Sequence, residues 1–143
     1  MIGFRINKLR GLKLDTKKIQ RSAQQAERRV LSRFGFLVRR GARQSIRKRK
    51  RVSAEGQSPS SHAGLLKRFI LYAYERARRS VVIGAKRLGS KRGRAPEALE
   101  HGGRSTTSDK RPKAIKIKPR PYMGPAFEKE KPKLPAMWRD SIR

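Results

Sequence analysis

Few side chains in this sequence have the type and spacing that chemistry requires. Gly84-Ala-Lys-Arg-Leu-Gly89-Ser90-Lys91 comes near a phosphate-cradling loop. In such a loop the lysine precedes the hydroxyl and a helix follows. Here Ser90 and Lys91 are transposed, and Gly93 and Pro96 interrupt any helix, so the segment reads as a flexible basic loop. His62 and His101 are the only histidines. Glu100 and His101 are adjacent, and adjacent helical side chains point about 100° apart, a poor arrangement for joint metal ligation. The chain has no cysteine, which excludes a disulfide framework, thiol catalysis and cysteine-ligated zinc. Of the 10 carboxylates, Glu128 and Glu130 are flanked by lysines and read as surface ion-pair partners. No Gly-x-Ser-x-Gly elbow occurs. No reaction centre emerges from the residues, and no cofactor or metal is implied.

What the sequence has in excess is positive charge. Its 143 residues hold 40 Lys and Arg against 10 Asp and Glu, a formal net charge of +30. Self-repulsion on that scale calls for an anionic neighbour: nucleic acid, an acidic membrane surface or acidic protein. Cations concentrate in Arg47-Lys48-Arg49-Lys50-Arg51, in the segment holding Lys86, Arg87, Lys91, Arg92 and Arg94, and in 110–120. The first two runs are the candidate contacts for an acidic partner or for nucleic acid. Aromatics make up 6% and sit in apolar segments, apart from the basic runs, which argues against a reader that stacks single-stranded bases. No apolar run approaches the roughly 18 residues of a membrane span. The segment Met1 to Lys8 lacks an apolar signal core. Neither a secreted nor a membrane protein is expected.

The elements that position these groups follow from apolar periodicity, and the length fits one domain. Residues 1–13, with Ile2, Phe4 and Ile6 alternating, read as an arm or edge strand. Over 14–46, Ile19, Ala23, Ala26, Val30, Phe34, Leu37, Val38, Ala42 and Ile46 recur at helical spacing behind a cap at Asp15 or Thr16. Such a helix is roughly 45 Å long and must lay its stripe on a sheet or a neighbouring subunit. Gly35 and Gly41 predict a bend or a close approach within it. Residues 47–62 form a basic, Ser-rich loop, with Ser60 or Ser61 placed to cap a helical turn at 65–67. The region 63–121 holds the sheet: Phe69–Tyr74 and Ser80–Ala85 as an antiparallel hairpin, a short helix over 96–100, a mobile stretch at 104–113, and a third strand at 114–118. The segment 122–143 is helical, and Pro132 and Pro135 break it in two or kink it. The fold class is α+β: a long N-terminal helix on a small antiparallel sheet, a C-terminal helix and long basic loops. Tyr122, Met123, Phe127 and Trp138 supply either core or a subunit interface, where such residues dominate binding.

Several segments, in this order, resemble a family of small bacteriophage neck proteins, the tail-completion or head–tail joining subunits of long-tailed phages. The likeness rests on a long N-terminal helix, then Gly64-Leu-Leu-Lys-Arg-Phe-Ile70, then Ser80-Val-Val-Ile-Gly-Ala85. It continues in Ala98-Leu-Glu-His-Gly102, similar to a Glu–aromatic–Gly pattern, and in Arg120-Pro-Tyr-Met-Gly-Pro-Ala-Phe127, similar to a signature opening the last helix. Ala63 stands where the family commonly has Thr, Phe69 where it has Ser, and His101 where it has an aromatic; the basic excess is not a general family trait. The resemblance implies a non-enzymatic virion protein made in the host cytoplasm. Copies of it form a ring at the head–tail junction, beside adjoining neck, portal-adaptor or tail-tube proteins, with viral double-stranded DNA passing through.

A magnitude separates the possible partners. A 143-residue domain has a radius of gyration of about 14–15 Å, giving a ring roughly 35–40 Å tall. Duplex DNA presents one charge per about 1.7 Å, hence roughly 20–25 across that height. One chain's +30 already exceeds this. Most basic loops, 47–51 and 86–94 among them, are therefore expected to face acidic surfaces of adjoining rings or capsid, and the loops at 47–62 and 86–113 to become ordered on assembly. The competing reading is a basic RNA-binding component of a ribonucleoprotein, of ribosomal type, whose extensions thread between RNA helices.

Overall fold

The computed structural model describes residues 15–86, 95–106 and 113–141. It is α+β. Helix α1 spans Thr16–Ser45; two short strands follow, β1 (Arg47–Lys48) and β2 (Ser60–Ser61), then helix α2 (Leu65–Phe69). Strands β3 (Ile70–Glu75) and β4 (Ser80–Ala85) lead to helix α3 (Ala95–His101) and strands β5 (Gly103–Thr106) and β6 (Ala114–Ile117). The chain ends in α4 (Met123–Glu130), a 3-10 turn at Lys131–Lys133, and α5 (Leu134–Arg139). The expected arm at 1–13 and the residues Arg87, Lys91, Arg92 and Arg94 lie outside the described residues. Among those described, no helix is long and apolar enough to cross a membrane.

Asp15 starts α1, its carboxylate accepting the Lys18 amide at 3.1 Å. The stripe then meets the rest of the chain in register. Phe34, Val38, Ala42 and Ile46 form the core with Ile70, Tyr122 and Ala126. Fully burying one such large apolar side chain contributes about 1.5–3 kcal/mol. The stripe's first members do not join it: Ile19 is exposed, and the surface of α1 is bare from residue 16 to 25. Gly35 lets the hairpin approach the helix, since a β-carbon there would stand 2.7 Å from Val81 Cγ2 and 2.9 Å from Tyr72 Cδ2. Gly41 is the corresponding contact with α4, opposite Ala126. The two glycines thus mark close approaches.

The hairpin β3–β4 pairs antiparallel from Ile70↔Ala85 to Glu75↔Ser80. The third expected strand exists at 114–117 but does not extend this sheet. It pairs antiparallel with β5, Gly103↔Ile117 through Thr106↔Ala114, so part of the stretch read as mobile is a strand. The third ladder joins β1 and β2 in parallel, which closes the 47–62 segment on itself. That segment is also tied to 118–120: Arg120 Nε donates to the Ser53 carbonyl at 2.9 Å, Gly56 N to Pro119 O at 3.0 Å, and Lys118 pairs with Glu55 at 2.9 Å. No serine caps α2. Its N-cap is Gly64 at φ +73, a left-handed conformation that needs no side-chain cap to turn the chain.

Candidate functional site

The basic run Arg47 to Arg51 is exposed at all five positions. Arg47 and Arg49 flank an open depression of about 590 Å³ whose other wall is Gln57, Ser58, Ser60 and Pro121. Lys86 is exposed at the end of β4, where its amide donates to Phe69 O at 2.9 Å. The first two residues of the run, Arg47 and Lys48, are thus held on the β1–β2 ladder and all five side chains are exposed, an arrangement suited to contact with an anionic surface.

The four interface candidates separate. Tyr122 is 2% exposed and belongs to the core, which corrects its assignment to a subunit surface: the turn into α4 drives its ring beneath α1. Burial first, and the Glu100 charge second, push its phenol up to about 12. Met123 is half-buried against the same core. Phe127 sets its ring edge-on to Phe34, with centroids 5.6 Å apart, and remains 40% exposed. Trp138 on α5 is 38% exposed. Phe127 and Trp138 retain enough open surface to meet a neighbour, and Tyr122 does not.

Three features were not read from the sequence. First, Glu100 on α3 caps α4 from 22 residues away. Its Oε2 accepts the amides of Tyr122 and Met123 at 2.9 and 3.0 Å, and its Oε1 that of Gly124 at 2.8 Å. One carboxylate thereby satisfies three donors that an isolated helix start leaves unpaired, at the end where negative charge is favoured. Second, Glu27 sits in the stripe region yet is buried, and Arg79 Nε donates to both its oxygens at 3.1 and 2.9 Å while Nη2 also reaches Oε2. That hydrogen bond, then the Glu27 charge, raises the guanidinium above its usual range. Arg79 itself has φ +50, an uncommon conformation for a side-chain-bearing residue, held at the end of the 76–79 turn. Third, the outer face of the hairpin is apolar and open, with Leu71 45% and Val82 59% exposed. The alternation of Leu71, Ala73 and Val82 with inward Tyr72, Val81 and Ile83 was the available signal.

Glu130, read as a surface ion-pair partner, is paired with Lys133 at 2.7 Å but is itself buried; Glu128, paired with Lys131, is exposed. His62 and His101 are both exposed. Among the described residues no group of three His, Asp or Glu could hold a metal ion. The arrangement presents a charged and partly apolar surface on a frame of α1 packed against the hairpin and α4. Comparison of the chain with protein-family models, with curated proteins and with solved structures finds no match.

Proposed function

We propose that this chain is a structural subunit of a tailed bacteriophage particle, joined to copies of itself in a ring where the tail meets the head. The observation that carries the reading is the Glu100 bridge. The segments 98–102 and 120–127 both resemble neck-protein signatures, and Glu100 of the first holds the opening amides of the helix that the second begins. Two short motifs that are in contact make a chance likeness of each less plausible than if they lay apart. Support also comes from the half-open Phe127 and Trp138 and from the bare outer face of β3–β4, surfaces that a neighbouring subunit would cover. The exposed run at 47–51 suits an acidic surface of an adjoining ring. The ribonucleoprotein reading draws its support from the +30 charge.

Gradient sedimentation of a lysate from cells producing the chain at its natural level tests the proposal. Co-migration with tailed particles, detected by mass spectrometry, is the expected result. Co-migration with ribosomal subunits, lost on ribonuclease treatment, would overturn it.

A further inference from the structure

Apart from the basic loops, a second concentration of cations forms on the N-terminal half of α1. Arg21 and Arg28 of the helix face Arg76 and Arg79 of the hairpin turn across a cleft of about 510 Å³, with Gln24 and Gln25 on its wall. Arg79 is the fixed member. Its Nε and Nη2 are engaged by the buried Glu27 carboxylate, which orients the guanidinium toward the cleft it lines. Arg21, Arg28 and Arg76 have no carboxylate partner among the described residues, and the cleft's charge is +3 after Glu27 is subtracted from four arginines.

The cleft is one end of a longer band. Gln25 and Arg28 also line a second depression that includes Arg29, and Arg29 with Arg33 and Lys133 lines a third, between α1 and α5, where Asp140 marks the band's acidic end. From Arg21 to Arg33 the band follows the helix for roughly 18 Å at 1.5 Å per residue. One small anion covers a fraction of that length. Over the same distance a DNA duplex offers about ten phosphates, counting both strands. The lining also distinguishes a polymer of phosphates from an acidic protein. Protein interfaces centre on apolar and aromatic anchors, whereas surfaces that meet duplexes are polar and strongly positive. Here one aromatic, Tyr74, stands on the cleft wall and Val30, Ala136 and Met137 only at the far end, while guanidinium groups and glutamine amides line the stretch between; arginine's planar fork matches phosphate oxygens in pairs.

We infer that the groove between α1 and the β3–β4 turn, extended along α1 toward α5, binds the phosphate backbone of duplex DNA. The choice of DNA over RNA rests on the neck reading; the binding of duplex phosphates rests on the groove alone. A contact of five or six arginines, with Lys133 left to its pair with Glu130, is strongly salt-dependent, so it holds DNA reversibly near physiological ionic strength. It leaves most of the +30 charge for other surfaces.

The test is fluorescence anisotropy of a 20-base-pair DNA duplex titrated with the full chain over a salt series. The variant is Arg21→Gln/Arg28→Gln/Arg76→Gln, three exposed side chains, so folding is spared; circular dichroism verifies it. A charge-matched control is Arg40→Gln/Lys67→Gln/Lys129→Gln, also exposed and outside the groove. Losing three phosphate contacts lowers the log–log salt slope by about 2.7 and weakens binding about 100-fold near 0.15 M salt. The control is expected to stay within about 3-fold of the parent by the same relation. Equal losses in variant and control would overturn the site. So would displacement of the duplex by equimolar tripolyphosphate, or a poly-glutamate probe bound as tightly with the same dependence on the three arginines. Tighter binding of an RNA duplex of equal length would overturn the assignment to DNA. A chain that binds DNA through this groove yet never enters particles would sink the neck reading and leave the groove standing.

Discussion

Replacing Glu100 by alanine removes the acceptor for three amides at once, and the structure allows the loss to be apportioned. A helix cap contributes about 1 kcal/mol. The negative charge at the positive end of α4 adds about 0.3–1 kcal/mol. The Tyr122 amide belongs to a buried residue, and a buried N–H without a partner costs about 1–3 kcal/mol. Glu100→Ala should therefore destabilise by about 3 kcal/mol in all. Glu100→Gln discriminates further. Its single carbonyl can keep Tyr122 and Met123, which share Oε2, while Gly124, bonded to Oε1, meets an amide NH2 group. That change should cost about half as much, since one acceptor and the charge are lost. In urea denaturation, with a slope of about 2 kcal/mol per molar, the midpoints fall by about 1.5 M for alanine and about 0.7 M for glutamine. A shift below about 0.3 M for alanine, or a glutamine variant as weak as the alanine one, would refute the bridge as the element that starts α4.

Two further predictions come from the same frame. Gly35→Ala forces a β-carbon to 2.7 Å from Val81 Cγ2, and overpacking at about 1–3 kcal/mol outweighs the gain of about 1 kcal/mol in helix propensity. Gly41→Ala meets Ala126 Cβ at an ordinary 3.5 Å, so it should stabilise by about 0.5–1 kcal/mol; thermal unfolding of the pair should move in opposite directions. Tyr122, held up to about 12, stays protonated in the fold after the unfolded chain has ionised near 10. Its contribution is intact below pH 10 and is lost as pH rises from 10 to 12, a difference of about 2–3 kcal/mol. Tyr122→Phe should lack that part of the decline when both proteins are denatured across this range.

The long helix was legible because its contacts repeat every turn: Val30, Phe34, Val38, Ala42 and Ile46 lie where a 3.6-residue period puts them. The hairpin was legible for a similar reason, since β-branched and aromatic residues flank a charged turn. Strand β5 was not, because Gly103-Arg-Ser-Thr106 has neither alternation nor apolar content and gains its form from pairing with β6. The Glu100 and Glu27 bonds span 22 to 24 and 52 residues, and nothing local distinguishes those carboxylates from solvated ones. Tyr122 shows the same limit: an aromatic between two prolines suits a core or an interface equally, and the approach of α4 to α1 at Gly41 decides for the core. Basic runs could be located by inspection, while the groove of Arg21, Arg28, Arg76 and Arg79 assembles only when the turn folds back beside the helix.

The subunit role is tested most directly by an electron cryomicroscopy map of the head–tail junction in particles that contain the chain. The expected density is a ring of copies, each with α1 laid on the β3–β4 hairpin, Trp138 or the outer face of Val82 against a neighbour, and segment 47–51 against another protein layer. A junction fully built from other polypeptides, with this chain recovered instead on RNA, would contradict it.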